Sequence, residues 1–216
     1  REGFPLLVCD LDHCLLDFST KLLESANTEE LGAQATEKMK RPFLLEFLTE
    51  TYKKYDIAVW SQTSWRWVEV KLTELGLLYN PNFKISFVLD KTSMFRVVST
   101  KPGGEDFEHF VKPLQIIWSK FPRYSPSNTV HIDDLQKNFA LNKTSGIKVS
   151  GFYRKKKKEA RQDVELQVLA IYLKKLAEAV TDFERVGGHK YWQMIAAGQK
   201  QFMIEDEGEA GAKKKG

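Results

Sequence analysis

Cysteine is nearly absent from this chain of 216 residues, which holds only Cys9 and Cys14. One such pair in a short span cannot staple a fold, and its spacing matches no zinc motif. A disulfide scaffold and a structural zinc module are excluded on that ground, and a reducing compartment is the expected setting. Neither thiol has the arginine six positions on that a cysteine phosphatase needs: those places hold Leu15 and Thr20. Long apolar runs are missing too; none reaches the ~18 residues of a membrane span, so no membrane partner is expected. Net charge is only +4, with much of the excess in Arg154 to Lys158 and Lys213 to Lys215. Spread that way it implies no nucleic-acid partner. The glycine spacing from Gly146 to Gly151 is followed by Phe152 and Tyr153 rather than Lys and Ser/Thr, which excludes a P-loop. There is no internal repeat and no signal-like segment. The chain opens on Arg1, and a longer polypeptide with an upstream domain is expected.

What is present is an ordinary globular composition, 42% hydrophobic and 29% charged, with five Trp and 14 Phe for a core. The most informative stretch is Leu6-Leu7-Val8-Cys9-Asp10-Leu11-Asp12. An apolar run without alternation suits a central strand buried on both faces, as in a parallel sheet. Asp10 then stands at its carboxyl end, where open α/β sheets place their ligands. In extended backbone Asp10 and Asp12 share a face. Two carboxylates that close need a cation or a shared proton between them. The stretch therefore offers a divalent metal site, or a nucleophile beside a general acid; an Asp-rich turn with a satisfied cap accounts for it as well.

Downstream, residues 17–40 are polar and read as a long loop or lid, with weak helical character at Leu22-Leu23 and from Thr28 to Lys38. Pro42 opens a helix through Phe43, Leu44, Phe47, Leu48 and Tyr52. Asp56 to Ser61 is a second buried strand, followed by a helix from Trp65 to Leu75 that Gly76 stops. Residues 83–110 read as a small antiparallel flap or edge hairpin. Thr129 to Asp134 is a third strand ending in two carboxylates, and Gly146 to Phe152 reads as another. His131, inside the third strand, reads as a buried, hydrogen-bonded residue. Leu166, Leu169, Leu173, Leu176 and Val180 form the stripe of one long helix from Ala160 to Val180, and His189 to Ala197 is a last helix. The expected fold is α/β: an open, mostly parallel Rossmann-like sheet flanked by helices, with a small β flap. It is expected over residues 1–202, with C-terminal helices over 159–198 and a disordered tail over 203–216.

Three predicted strands thus end in polar groups, Asp10 with Asp12, Ser61, and Asp133 with Asp134, and Lys112 lies in a loop between the last two. These types suit phosphoryl transfer through an aspartyl phosphate. The nucleophile's charge and the phosphate's need a hard cation and a fixed ammonium, and a second acid must serve the leaving oxygen. The segments Asp10-Leu11-Asp12-His13-Cys14-Leu15, Trp60-Ser61, Val111-Lys112-Pro113 and Ile132-Asp133-Asp134 resemble the four motifs of haloacid-dehalogenase-type phosphatases. Arg41-Pro42-Phe43, Ile116-Ile117-Trp118, Asn138-Phe139 and His189-Lys190-Tyr191-Trp192 extend the likeness to the branch that dephosphorylates the RNA polymerase II carboxy-terminal domain. Within that branch they resemble the members that carry a ubiquitin-like domain.

The resemblance implies Asp10 as nucleophile and Asp12 as general acid and base. It implies Ser61 and Lys112 as phosphate-binding groups and Asp133 as the residue orienting Lys112. A Mg²⁺ would be held by Asp10, the Asp12 carbonyl and Asp134. It implies a monomeric nuclear (also cytoplasmic) protein serine/threonine phosphatase acting on phosphoprotein, docked on the proteasome regulatory particle through the upstream domain. An inactive proteasome-binding scaffold and a small-molecule phosphatase are the alternatives. The one departure is Cys14, where the superfamily usually has Thr; it reads as a shape substitute.

Overall fold

The middle of the molecule is β1 (Leu6–Cys9), whose four residues are all inaccessible to solvent. The computed structural model describes residues 1–198, and the tail expected over 203–216 lies outside them. β2 (Asp56–Trp60) and β6 (Thr129–Asp133) flank β1, both parallel to it and both buried at every position. β3 (Ile85–Leu89) lies beyond β2, and β7 (Gly146–Lys148) beyond β6, both parallel again. The sheet order is β3-β2-β1-β6-β7. β4 (Phe95–Thr100) and β5 (Asp106–Val111) form a separate antiparallel hairpin.

Pleating divides the core. Leu7 and Cys9 face one layer with Ile57, Val59, Val130 and Ile132, under α3 (Leu44–Tyr52), α4 (Trp65–Glu74) and α7 (Glu165–Ala179). Leu6 and Val8 face the other with Ala58, Trp60 and Leu114, under α5 (Gln115–Lys120). Covering both faces is what makes β1 a continuous apolar run and buries even the polar Thr129, His131 and Asp133 of β6. Gly76 takes φ +66°, and the Leu77 amide reaches back to the Leu72 carbonyl, so α4 ends in a Schellman turn. Among the described residues no helix is long and apolar enough to cross a membrane.

Several expectations are corrected. Residues 17–40 are less a loop than expected, and helical where Leu22-Leu23 and Thr28 to Lys38 suggested it. They hold α1 (Thr20–Glu24) and α2 (Glu29–Met39), the latter capped by Thr28 and anchored by buried Ala35 and Met39. Pro42 stands ahead of its helix, because Phe43 takes a left-handed φ of +64° and α3 starts only at Leu44. Residues 85–89, expected within the flap, are an edge strand of the main sheet; partial cover of an edge produces the alternation that reads as a hairpin. The long helix from Ala160 divides into α6 (Lys157–Arg161) and α7, because Asp163 caps Glu165 and turns to the buried Arg41. β7 stops at Lys148, since Ser150 and Phe152 bond away from the sheet, to Arg41 and to His13. The last helix, α8, spans Lys190–Ala196.

Candidate active site

β1 is where the strand order reverses, with β2 on one side and β6 on the other, and an open α/β sheet has its crevice there. Register makes the ends level: Cys9 pairs Val59 on one side and Ile132 on the other. The next residues carry the ladder one step further, the Asp10 amide bonding Ile132 and the Ser61 amide bonding Leu89, each at 3.0 Å. Asp10, Ser61 and the Asp133-Asp134 pair therefore emerge on one edge. β5 ends at Val111 and hands Lys112 to the same edge.

Lys112 is wholly buried, and its Nζ donates to Asp10 Oδ1 and, at 2.6 Å, to Asp133 Oδ2. Asp133 spends its remaining capacity on the Asn138 amide and the Leu135 backbone N–H, both at 2.8 Å. The Lys112 backbone N–H meets the Asn138 carbonyl at 3.3 Å, so Asn138 fixes the lysine at both ends. Asp10, Asp133 and Asp134 bring carboxylate oxygens within 4.8 Å of one another. In this trio Asp133 stands beside the expected Asp10 and Asp134, while the side chain of Asp12 turns elsewhere.

Burial pushes the Asp10 carboxyl up, Lys112 pulls it down, and Asp133 and Asp12 push it up again; the balance lies above the usual carboxylate range. Burial works against the Lys112 ammonium, but the two carboxylates outweigh it and hold it charged. Asp133 is the reverse case: burial disfavours its charge, yet Lys112 and His131 bring it below the ordinary range. Asp134 is raised, by burial and then by Asp133. Three carboxylates with one ammonium make an electronegative corner of hard oxygen donors. That donor set fits Mg²⁺.

The other half of the edge was only partly foreseen. Ser61 Oγ lies 2.9 Å from Thr63 Oγ1 and donates to Asp12 Oδ2 at 3.3 Å. The Asp12 carboxylate turns to α4, where Lys71 Nζ donates to both its oxygens at 2.6 Å. Lys71, Thr63 and Asn138 carried no role in the sequence reading. For Lys71 a signal existed: it falls on the helix face of Val68, Leu72 and Leu75, where a solvated lysine has no business.

The loop after β1 is anchored from below. Cys14 is buried; burial, then Asp10 and Asp133, push its thiol far up, so it stays protonated. The Cys14 carbonyl accepts from Arg41 at 3.0 Å. The Arg41 guanidinium, equally buried, also bonds the Ser150 carbonyl and pairs with Asp163 at 2.9 Å and Glu165 at 2.7 Å. His13, with φ +61°, stacks on Tyr153 at 4.4 Å. His131 is buried, as expected; its Nε2 pairs loosely with Asp133 Oδ2 at 3.5 Å, and no shorter hydrogen bond reaches either ring nitrogen among the described residues.

Beside Ser61, a cavity of about 480 Å³ opens between Gln62, Lys91, Thr92, Met94 and Phe110. Phe95, Val98 and Phe110 of the hairpin are left exposed.

Residues 5–184 match the NLI interacting factor-like phosphatase family. The chain is 39% identical to Ubiquitin-like domain-containing CTD phosphatase 1 of Drosophila melanogaster over 89% of its length and 55% of that protein's. It is 40% identical to the Homo sapiens protein of that name, with the same coverage. It thus spans about half the length of the curated relatives it matches. Among solved structures it is similar to Fcp1, an essential RNA polymerase II CTD phosphatase, at 16% identity and a TM-score of 0.47, over 90% of this chain and 62% of that one. With 180 consecutive residues matched and a carboxylate crevice at the sheet's switch point, this chain belongs to the NLI interacting factor-like phosphatase family.

Proposed function

We propose that this domain is a Mg²⁺-dependent protein serine/threonine phosphatase that works through Asp10. The observation that carries the reading is the buried Lys112 ammonium shared by Asp10 and Asp133, beside Asp134, at the end of the central strand. Asp10, Asp134 and the Asp12 carbonyl are the groups that would hold Mg²⁺, which when bound neutralises phosphate charge and aligns phosphorus with the nucleophile.

In the first step an Asp10 oxygen attacks phosphorus, the bond to the serine oxygen breaks, and Asp12 gives that oxygen its proton. Asp12, now a carboxylate, takes a proton from water; the water oxygen attacks phosphorus and the bond to Asp10 breaks, releasing inorganic phosphate. Lys112 and Ser61 hold the phosphate oxygens, and Asp133 with Asn138 keeps Lys112 aimed. The exposed hairpin residues and the adjoining cavity suit an extended peptide bearing phosphoserine or phosphothreonine better than a small metabolite, which needs enclosure. The full carboxylate and lysine set speaks against a purely scaffolding role.

The relatives' names mention a ubiquitin-like domain and CTD phosphatase activity. By that likeness the substrates include CTD-type phosphoserine. The nucleus as working place and docking on the proteasome through an upstream domain rest on the sequence resemblance alone. The test is phosphate release from p-nitrophenyl phosphate and from a phosphoserine peptide, with and without EDTA. Turnover that survives chelation, or survives Asp10→Asn, overturns the reading.

A further inference from the structure

Lys71 has no part in the scheme above, yet the fold goes to some expense to place it. It sits on the buried stripe of α4 between Val68 and Leu72, its side chain only 7% exposed. Burying an ammonium costs several kcal/mol unless it is paired and hydrogen-bonded. Its partners are both oxygens of Asp12, at 2.6 Å each, and Thr63 Oγ1 at 3.4 Å. Asp12 lies past the end of β1 in a tight turn, with about a third of its side chain open to solvent. A carboxylate placed so has more than one rotamer open to it, and the Lys112 ammonium attracts it, as would a metal ion held by Asp10 and Asp134. The two-pronged contact from Lys71, with Ser61 Oγ at 3.3 Å, selects the orientation on the β2 side of the crevice.

We propose that Lys71 is a positioning residue: it holds the Asp12 side chain away from the Lys112 corner, in line for the leaving oxygen when it carries the proton to be given and, as the carboxylate, for the attacking water. This rests on the reading of Asp12 as the proton-transfer group. Misaiming such a group slows the chemical steps and leaves substrate binding alone. The two proton transfers are not equally sensitive. A p-nitrophenolate leaves without a proton, whereas hydrolysis of the aspartyl phosphate always needs water activated.

The experiment is rapid-mixing and steady-state kinetics on Lys71→Met and Lys71→Arg, with thermal melts to show that each is folded. Lys71→Gln serves if the Met variant fails to fold. For a phosphoserine peptide, Lys71→Met lowers kcat roughly 10–100-fold, part of the 10²–10⁴ that general acid–base help supplies, with KM nearly unchanged. With p-nitrophenyl phosphate it gives a burst of about one product per enzyme and then slow turnover, as expected of an accumulating acyl-phosphate. Lys71→Arg recovers part of the rate, and Lys71→Met adds no further loss to Asp12→Asn, as expected of residues acting as one unit. A rise in KM at constant kcat, equal losses on both substrates without a burst, or full additivity in the double variant overturns the proposal. If Asp12→Asn itself leaves turnover intact, what fails is the acid–base reading of Asp12, a separate result.

Discussion

Two lysines stand at the carboxyl edge of the sheet, each gripping a carboxylate of the Asp10-Leu11-Asp12 turn. Lys112 is completely buried and bridges two acids that are themselves buried. Lys71 meets one acid that keeps a third of its side chain in solvent. The first cluster has one arrangement, because removing any member strands a charge in the interior. The second holds a side chain in one of several places it is able to occupy. The contrast separates a fixed electrostatic frame from an adjustable group within one site.

The largest effect is expected from breaking the frame. Lys112→Met leaves Asp10 and Asp133 buried together without a cation, a change that typically costs about 3–5 kcal/mol. Urea denaturation reads it, and phosphatase activity should vanish with it. A midpoint within experimental error of wild type would mean that the frame is held by something other than Lys112.

His189 is the contrast case, a buried cation-former with no acid beside it. Its Nδ1 meets the Tyr172 hydroxyl at 2.8 Å, and burial lowers its pKa to about 4. A folded value below the unfolded one means that the neutral ring stabilises the fold fully above about pH 6.5. That contribution is lost as pH falls through about 4, and amounts to roughly 3 kcal/mol. Thermal melts across that window measure it. His189→Asn, which accepts the position's φ of +56°, should flatten the slope.

Metal binding sharpens the comparison next. Mg²⁺ at a hundredfold over its dissociation constant should stabilise the domain by about 2.7 kcal/mol. EDTA should remove that increment, and Asp134→Asn should abolish it while leaving the Lys112 frame standing. A melting point indifferent to Mg²⁺ counts against the site.

For Lys71→Met the expected loss of stability is smaller, about 1–2 kcal/mol, because Asp12 is able to turn back to water. A loss as large as that of Lys112→Met would erase the distinction between the two lysines. The smallest effect belongs to Cys14→Thr. The buried thiol is held protonated, so a hydroxyl of similar size in its place should keep activity, or raise it by a hydrogen bond worth about 0.5–1.5 kcal/mol. Assayed beside wild type, collapse of turnover with normal circular dichroism would give the thiol a chemical role.

The strands that build the site were legible because both their faces are buried. β1 is an unbroken apolar run, β2 is one from Ile57 on, and β6 sets Val130 and Ile132 among buried polar residues; each is followed or closed by the hydroxyl or carboxylate that marks its carboxyl end. Lys112 was legible because it stands in a loop with no apolar stripe to hide it. Lys71 was not, since a helix with exposed Trp65 and Trp67 draws attention to its outer face and away from the charged residue on its inner one. The break before α7 was hidden for a different reason: residues 157–163 hold no proline or glycine to stop a helix, and only the tertiary pull of Arg41 on Asp163 shows why the backbone turns. β3 was misread because an edge strand, half covered, alternates as a hairpin strand does.

Arg41 links Cys14, on the turn that bears Asp10 and Asp12, to Ser150, Asp163 and Glu165, groups 109 to 124 residues further along. On a ribosome adding about 5–20 residues per second, those partners are made roughly 5–25 s after the guanidinium. Until then Arg41 has no acid to pair with, and the turn beneath Asp10 lacks its clasp to the later chain. Chemistry carried by the turn after β1 thereby waits for α7 to be made, and a nascent chain cut short before α7 carries Asp10, Asp12, Ser61, Lys112 and Asp134 without the clasp beneath them.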